Sequence, residues 1–173
     1  MSEPVAIRRL APDDLALYKA LRDVVLAAHP QAFTTDAAEA RLRSADSYRS
    51  RLGLERAGGG EFTLGAWQDA ELVGAISCER DTRIKVRHIG HIVGMMVNDA
   101  MQRRGLGRAL LAECIALARR AEGLELLTLS VTAGNASAIR LYERFDFIRY
   151  GSLPHAICVD GRYHTKDQMM LVL

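Results

Sequence analysis

A chain of 173 residues, 49% hydrophobic and 25% charged, suits one compact domain over residues 1–173 that buries roughly 70% of its unfolded surface. With 23 Lys+Arg against 21 Asp+Glu the formal net charge is only +2, which gives no global drive toward nucleic acid or a membrane surface. Cys78, Cys114 and Cys158 are odd in number and widely spaced, with no Cys-x-x-Cys, so neither a disulfide framework nor a metal site is expected.

In chain order, Val5 to Arg9 alternates as an edge strand, and Pro12-Asp13-Asp14 supplies a helix start before Leu15 to Ala28. Asp36 to Arg56 reads as one helix, with Asp46 or Ser47 as a second cap, closed by the flexible connector Ala57 to Gly60. Its arginines Arg41, Arg43, Arg49 and Arg51 make one basic segment, read as a solvated face or as favouring an acidic acceptor with a carboxylate beside its amine. Phe62 to Trp67 and Leu72 to Glu79 form a hairpin around Gln68 to Glu71, and His88 to Val97 continues the sheet. A helix from Gly107 to Glu122 carries the broad apolar face Leu110, Leu111, Cys114, Ile115, Leu117 and Ala118, and Gly123 closes it. Leu126 to Val131 is a strand and Ser137 to Arg144 a helix. Phe147 to Leu153 is a further strand, and a last hairpin turns at Asp160-Gly161, a type I′ signal. The N-terminus has no apolar signal core and no run approaches roughly eighteen apolar residues, so no membrane segment and a cytoplasmic location are expected.

The most informative stretch is Gln102-Arg103-Arg104-Gly105-Leu106-Gly107, set between an apolar strand and an amphipathic helix starting near Arg108. The first turn of a helix leaves its N–H groups without intrahelical partners at the positive end of the helix dipole, so a diphosphate satisfies both. Gly105 and Gly107 let the chain turn sharply and let an oxygen approach the amides of Arg103 to Arg108. The P-loop and dinucleotide fingerprints are both absent, which removes the two commonest nucleotide cradles.

Together these residues resemble the GCN5-related N-acetyltransferases, marked by Gln/Arg-x-x-Gly-x-Gly/Ala after a strand ending in Val. Val97 precedes Gln102 by five residues, and a second match runs from Asn135 through Tyr142 to Phe147. The resemblance spans Val5 to the C-terminus and is weakest between His29 and Gly60. It implies an α/β sandwich with a mixed, mostly antiparallel sheet of six to seven strands and about four helices. The sheet would splay between the strands ending at Val97 and Val131. It further implies acetyl-CoA as cosubstrate and direct attack of a primary amine on the thioester, the amine belonging to a small molecule or a peptide N-terminus.

In the resemblance, Met95, Met96 and Val97 pair with the pantetheine arm as an added strand would. A bulge near Gly94 or Met96 would present one N–H to the thioester oxygen. Gln102, Arg103, Arg104, Gly105, Leu106, Gly107 and Arg108 would hold the diphosphate. Asn135 would contact the pantetheine arm or cap its helix, and Tyr142 would protonate the leaving sulfur. For the base, counting by two back from Val97 places Met95, Val93 and His91 on one face, with His91 toward the thioester. His91 also matches a histidine of the arylalkylamine branch of the family. Glu79 on the preceding strand competes for the same role, and a hydrogen-bonded structural histidine is the plain alternative.

Two departures from the pattern stand out. The cradle is similar to that of the branch acetylating the N-terminal alanine of a ribosomal protein, yet Ser130 replaces that branch's catalytic glutamate. Asp146 replaces a glycine common before the aromatic Phe147, so an unusual turn is expected there. The acceptor would be set by residues His29 to Gly60 and the hairpin from His155 to His164, with Tyr163 and His164 bordering the pocket or merely finishing the hairpin. Family habit adds a possible homodimer. The competing readings are an acyl-CoA-binding sensor without turnover and a nucleotide-binding regulatory domain.

Overall fold

A computed structural model describes residues 5–54 and 59–173; Arg56 at the end of the expected helix and Ala57 and Gly58 of the expected connector lie outside the described residues. The strands are β1 (Ala6–Arg9), β2 (Phe62–Gln68), β3 (Glu71–Arg80), β4 (Ile89–Val97), β5 (Leu126–Thr132), β6 (Ile148–Val159) and β7 (Arg162–Val172). They form one seven-stranded sheet in the order β1-β2-β3-β4-β5-β7-β6. Every pairing is antiparallel except β4 with β5. Helices α1 (Leu15–Ala28), α2 (Ala37–Leu42), α3 (Leu106–Arg120) and α4 (Ala136–Glu143) complete the mixed α/β architecture expected from the sequence.

Each face of the sheet has its own core. Leu15, Tyr18, Leu21 and Val25 recur at helical spacing along α1 and pack with Tyr48, Leu72, Ala75 and Met96. On the opposite face, Leu106, Leu110, Leu111, Cys114, Ile115 and Ala118 of α3 cover Phe62, Leu64, Ile76, Ile92 and Leu127. Burial of this order, about 25 cal/mol per Å² of apolar area, is what holds two helices against one sheet. The entry to α1 is fixed by Asp14, whose carboxylate accepts two hydrogen bonds from Arg8, at 2.7 and 2.9 Å, and one from the Ala11 N–H at 2.8 Å. Arg8 holds the Asp14 carboxyl below the usual carboxylate range.

Three expectations are corrected. The segment expected as one helix from Asp36 to Arg56 is α2 followed by a 3-10 stretch, Ala45–Leu52. Asp36 does cap α2, accepting from the N–H groups of Ala38 and Glu39. Arg43 and Ser44 then turn extended, with ψ of 143° and 155°, so Ser44 rather than Asp46 or Ser47 opens the second piece. Phe147 is a core residue outside the strand, and β6 runs unbroken from Ile148 to Val159. Its register against β7 shifts between Leu153 and Ile157, around His155 at φ +54°. Helix α3 ends at Arg120, with Gly123 left-handed at φ +65° in the turn beyond it.

Asp146 adopts φ +65°, the left-handed conformation a glycine would take, so the turn before Phe147 survives the substitution. The Asp160-Gly161 pair has φ of +49° and +74°, as a type I′ turn requires.

Candidate active site

The site begins where the sheet opens. β4 pairs with β5 only through Ile89, Gly90 and His91 against Leu126, Leu127 and Thr128, and the two strands part beyond that point. This is the splay expected between the strands ending at Val97 and Val131. It leaves the β4 backbone from Ile92 to Val97 without a neighbour on that side, an open edge that another extended chain can pair with.

Within this open stretch β4 carries a bulge. Ala75 and Ser77 of β3 pair with Met96 and Val93, so Gly94 and Met95 together oppose one residue. Gly94 has φ +58°, and a Cβ there would lie 3.1 Å from Arg51 Nη1, 3.3 Å from Tyr18 Oη and 3.5 Å from Arg22 Nη1. Only glycine combines that conformation with that closeness.

The extra residue inverts the alternation of side chains. Ile92, Met95 and Val97 pack toward α3, whereas Met96 packs toward α1. Val93 and His91 share the α1 face with their cross-strand partners Ser77 and Glu79. The count by two that placed His91 with Met95 and Val97 is therefore corrected: His91 lies on the opposite face from both.

His91 Nδ1 lies 2.7 Å from Thr128 Oγ1, and Thr128 Oγ1 donates to Gly90 O at 3.4 Å. Glu79 forms an ion pair with Arg51, Oε1 to Nε at 3.1 Å. The two base candidates are directly opposed in the β3–β4 ladder. Neither lines the cleft described below.

The cradle follows β4 through a short turn, Asp99–Met101, whose Ala100 N–H is capped by Asn98. The Asp99 carboxylate accepts from Gln102 Nε2 at 2.5 Å and lies 2.7 Å from His29 Nε2, which ties the cradle to the end of α1. Arg103 and Gly105 are left-handed, at φ +61° and +78°, so the chain recoils into α3. Gly105 is the N-cap of α3 and offers no side-chain acceptor, leaving the first N–H groups of the helix for an incoming anion. A Cβ on Gly105 would meet nothing within 4 Å, so the space beside this residue at the start of α3 is open. Gly107 serves packing instead: its Cβ would lie 3.2 Å from Met95 Cε and 3.5 Å from Leu141 Cδ2.

Opposite, Asn135 caps α4, its Oδ1 accepting from the Ala138 N–H at 3.1 Å. Two helical turns on, Tyr142 is buried, edge-on to Phe147 with ring centroids 5.9 Å apart. Its hydroxyl donates to Met95 Sδ at 3.4 Å. Burial first, then Cys114, pushes the phenol up to about 12. The hydroxyl stays protonated across the neutral range and remains a donor.

One cleft of about 1140 Å³ joins these parts. It is lined by Met95, Met96, Val97, Gln102, Arg103, Gly105, Leu106, Gly107, Arg108, Asn135 and Tyr142, the expected cofactor residues apart from the exposed Arg104. Ser130 and His164 also line it, while Tyr163 stacks on His155 at 4.5 Å outside it.

The far wall holds Arg22 and Lys166, which sequence reasoning passed over, and Arg51, whose segment it read as solvated or as favouring a carboxylate beside the amine. Lys166 donates to Ala32 O at 3.3 Å and Thr132 Oγ1 to Gln31 O at 2.6 Å, which fastens the segment after α1 to the sheet. Arg22 had one available signal. It lies four residues after Tyr18 and three before Val25, a charged residue on the apolar face of a helix.

A family model describing the acetyltransferase (GNAT) family matches residues 18–147. The chain belongs to that family. A curated relative, mycothiol acetyltransferase of Salinispora tropica, is 29% identical over 147 residues, which are 85% of this chain and 45% of that protein. The chain thus spans less than half the length of that relative.

Among solved structures, a GNAT-family acetyltransferase from Streptococcus pneumoniae superposes with a TM-score of 0.88 at 26% identity, covering 98% of this chain and all of that one. A putative acetyltransferase from Salmonella typhimurium, solved with its cofactor acetyl-CoA, has a TM-score of 0.82 at 25% identity, covering 99% and 95%. Among the described residues, no helix is long and apolar enough to cross a membrane.

Proposed function

We propose that this protein is an acetyl-CoA-dependent N-acetyltransferase that acts on a primary amine. The observation that carries the reading is the convergence of three features in one cleft: the unpaired bulged edge of β4, the uncapped N-terminus of α3, and the buried donor Tyr142.

The residues present fit acetyl-CoA. The first-turn N–H groups of α3 with Gln102, Arg103 and Arg108 would hold the diphosphate, and the open β4 edge from Met95 to Val97 would pair with the pantetheine amides. When bound, the coenzyme supplies an acetyl thioester open to direct attack by the amine. Arg104 is exposed beside the cradle and adds attractive charge without a contact in the cleft. Asn135 holds the start of α4 and thereby places Tyr142.

The chain's own groups divide the remaining work. A backbone N–H in the bulged stretch stabilises negative charge developing on the carbonyl oxygen. Tyr142 gives its hydrogen bond to the departing sulfur. Met95 Sδ is a weak acceptor, so the hydroxyl exchanges partners at small cost. A phenol of about 12 is a poor proton donor to a thiolate, since a thiol of ordinary pKa near 8.5 is far more acidic. Tyr142 acts by hydrogen bonding to the sulfur as negative charge develops on it, and the thiolate leaves holding that hydrogen bond and takes its proton from water.

His91 is the base in this reading. With the Thr128 proton directed to Gly90 O, Thr128 Oγ1 accepts from His91 Nδ1–H, which leaves Nε2 with its lone pair free. His91 does not line the cleft, so in this role it would receive the amine proton through a relay and not by direct contact. Glu79, held by Arg51, orders the neighbouring arginine instead.

The reading is tested by following release of coenzyme A thiol from acetyl-CoA with a panel of small-molecule amines and N-terminal peptides. Amine-dependent release with the acetylated product confirmed by mass supports it. Tight acetyl-CoA binding without release for any amine replaces it with a coenzyme sensor.

A further inference from the structure

The acceptor wall of the cleft carries a charge that neither coenzyme binding nor the chemistry above uses. Arg22 is 4% exposed and lines the cleft. Its Nη2 donates to Thr35 Oγ1 at 3.3 Å, while Nε and Nη1 are shut off from water with no hydrogen-bond partner. Among the described residues it has no carboxylate partner. A guanidinium in that state is costly to bury, and an arriving anion relieves the cost.

Arg51 points to the same place. Its backbone is held by Thr63, whose hydroxyl donates to Arg51 O at 2.9 Å, and its Nη1 donates to Tyr18 Oη at 3.1 Å. Both guanidiniums reach the β4 bulge: Arg51 Nη1 and Arg22 Nη1 lie 3.1 and 3.5 Å from where a Gly94 Cβ would stand. Lys166 lines the same cleft, bound only to a carbonyl, and burial lowers its pKa. Against these three cations stands, among the described residues, one paired carboxylate, Glu79 on Arg51. Such a wall repels a plain ammonium. It attracts an amine that carries its own anion.

We propose, resting on the acetyltransferase reading, that Arg22 and Arg51 form an oxyanion-binding subsite beside Gly94, and that the acceptor is an amine with a carboxylate close to its nitrogen. The coenzyme's phosphates do not need this subsite, because the N-terminus of α3 supplies theirs. The guanidinium forks match the planar carboxylate and fix the amine's position relative to the open β4 edge. Free α-amino acids are the class that fits.

The test compares matched amines, namely an α-amino acid, its carboxamide and its decarboxylated amine, by coenzyme A release and by thermal shift of the protein saturated with coenzyme A. The wild type should favour the carboxylate member in kcat/KM on the order of 100-fold. Arg22→Gln and Arg51→Gln should each erase that preference by raising KM for the carboxylate member, with coenzyme A affinity retained as proof of folding. Arg22→Lys, which keeps the charge and loses the fork, should recover part of it. Equal turnover of all three members overturns the subsite and leaves the acetyltransferase reading intact. Absence of turnover with these three and with every other amine of the panel overturns the latter. In that case a melting shift by the carboxylate member alone, abolished in Arg22→Gln, still supports the subsite, and no shift overturns it.

Discussion

The hydroxyl of Tyr142 and the thioether of Met95 meet across the opening of the sheet, 3.4 Å apart, so the buried donor of α4 rests on the strand that would pair with the coenzyme. The phenol has little to lose by leaving sulfur, and Met95→Leu should keep most of the turnover, a change of no more than a few-fold in kcat. A loss as large as that of Tyr142→Phe would show that Met95 itself orients the donor.

Titration of this phenol should also be visible in stability. Its folded value of about 12 lies above its ordinary value of 10.0, so the native state holds the proton more tightly than the unfolded chain. The contribution is fully present below pH 10.0 and is lost as pH rises toward about 12, by at most about 1.4 kcal/mol per pH unit. Denaturant melts of wild type and Tyr142→Phe over that window should diverge, the wild type falling more steeply. Parallel curves would contradict the burial argument.

Glycine substitutions should separate the bulge from the cradle. Gly94→Ala adds a Cβ 3.1 Å from Arg51 Nη1 at φ +58°, and should cost about 1–3 kcal/mol with a fall in melting temperature. Gly105→Ala meets no atom within 4 Å, so its cost is confined to the left-handed backbone, about 1–2 kcal/mol. Because Gly105 opens the helix whose first-turn N–H groups would take the diphosphate, coenzyme A affinity measured by calorimetry should drop further than stability does.

How much of this was legible follows from the kind of signal each part carries. The cradle, α1, α3 and the Asp160-Gly161 hairpin are written in local spacing and glycine placement, and they stand where the sequence puts them. The face of His91 was not legible. A bulge is one extra residue in a run of plausible strand residues, and its effect on alternation appears only when Ala75 and Ser77 are seen paired with Met96 and Val93. The break after Leu42 is likewise a backbone event at Arg43 and Ser44, in a stretch whose charges masked a weak apolar period. Arg51 looked solvated because its neighbours in sequence are, while its partners Tyr18 and Glu79 come from other elements.

The assignment of the base predicts that His91→Gln lowers kcat about 10²-fold or more. Thr128→Val, which leaves the imidazole without the partner at 2.7 Å, should give a smaller loss. If Glu79→Gln lowers kcat that far and His91→Gln does not, the roles are exchanged.

The most direct test of the central claim is coenzyme A thiol release by Tyr142→Phe beside wild type, with acetyl-CoA affinity measured on the same samples. The account predicts that the variant binds acetyl-CoA within a few-fold of wild type and turns over about 10²-fold more slowly or worse. Equal turnover would contradict the placement of Tyr142 at the leaving sulfur, and failure of both proteins to bind acetyl-CoA would contradict the cleft as a coenzyme site.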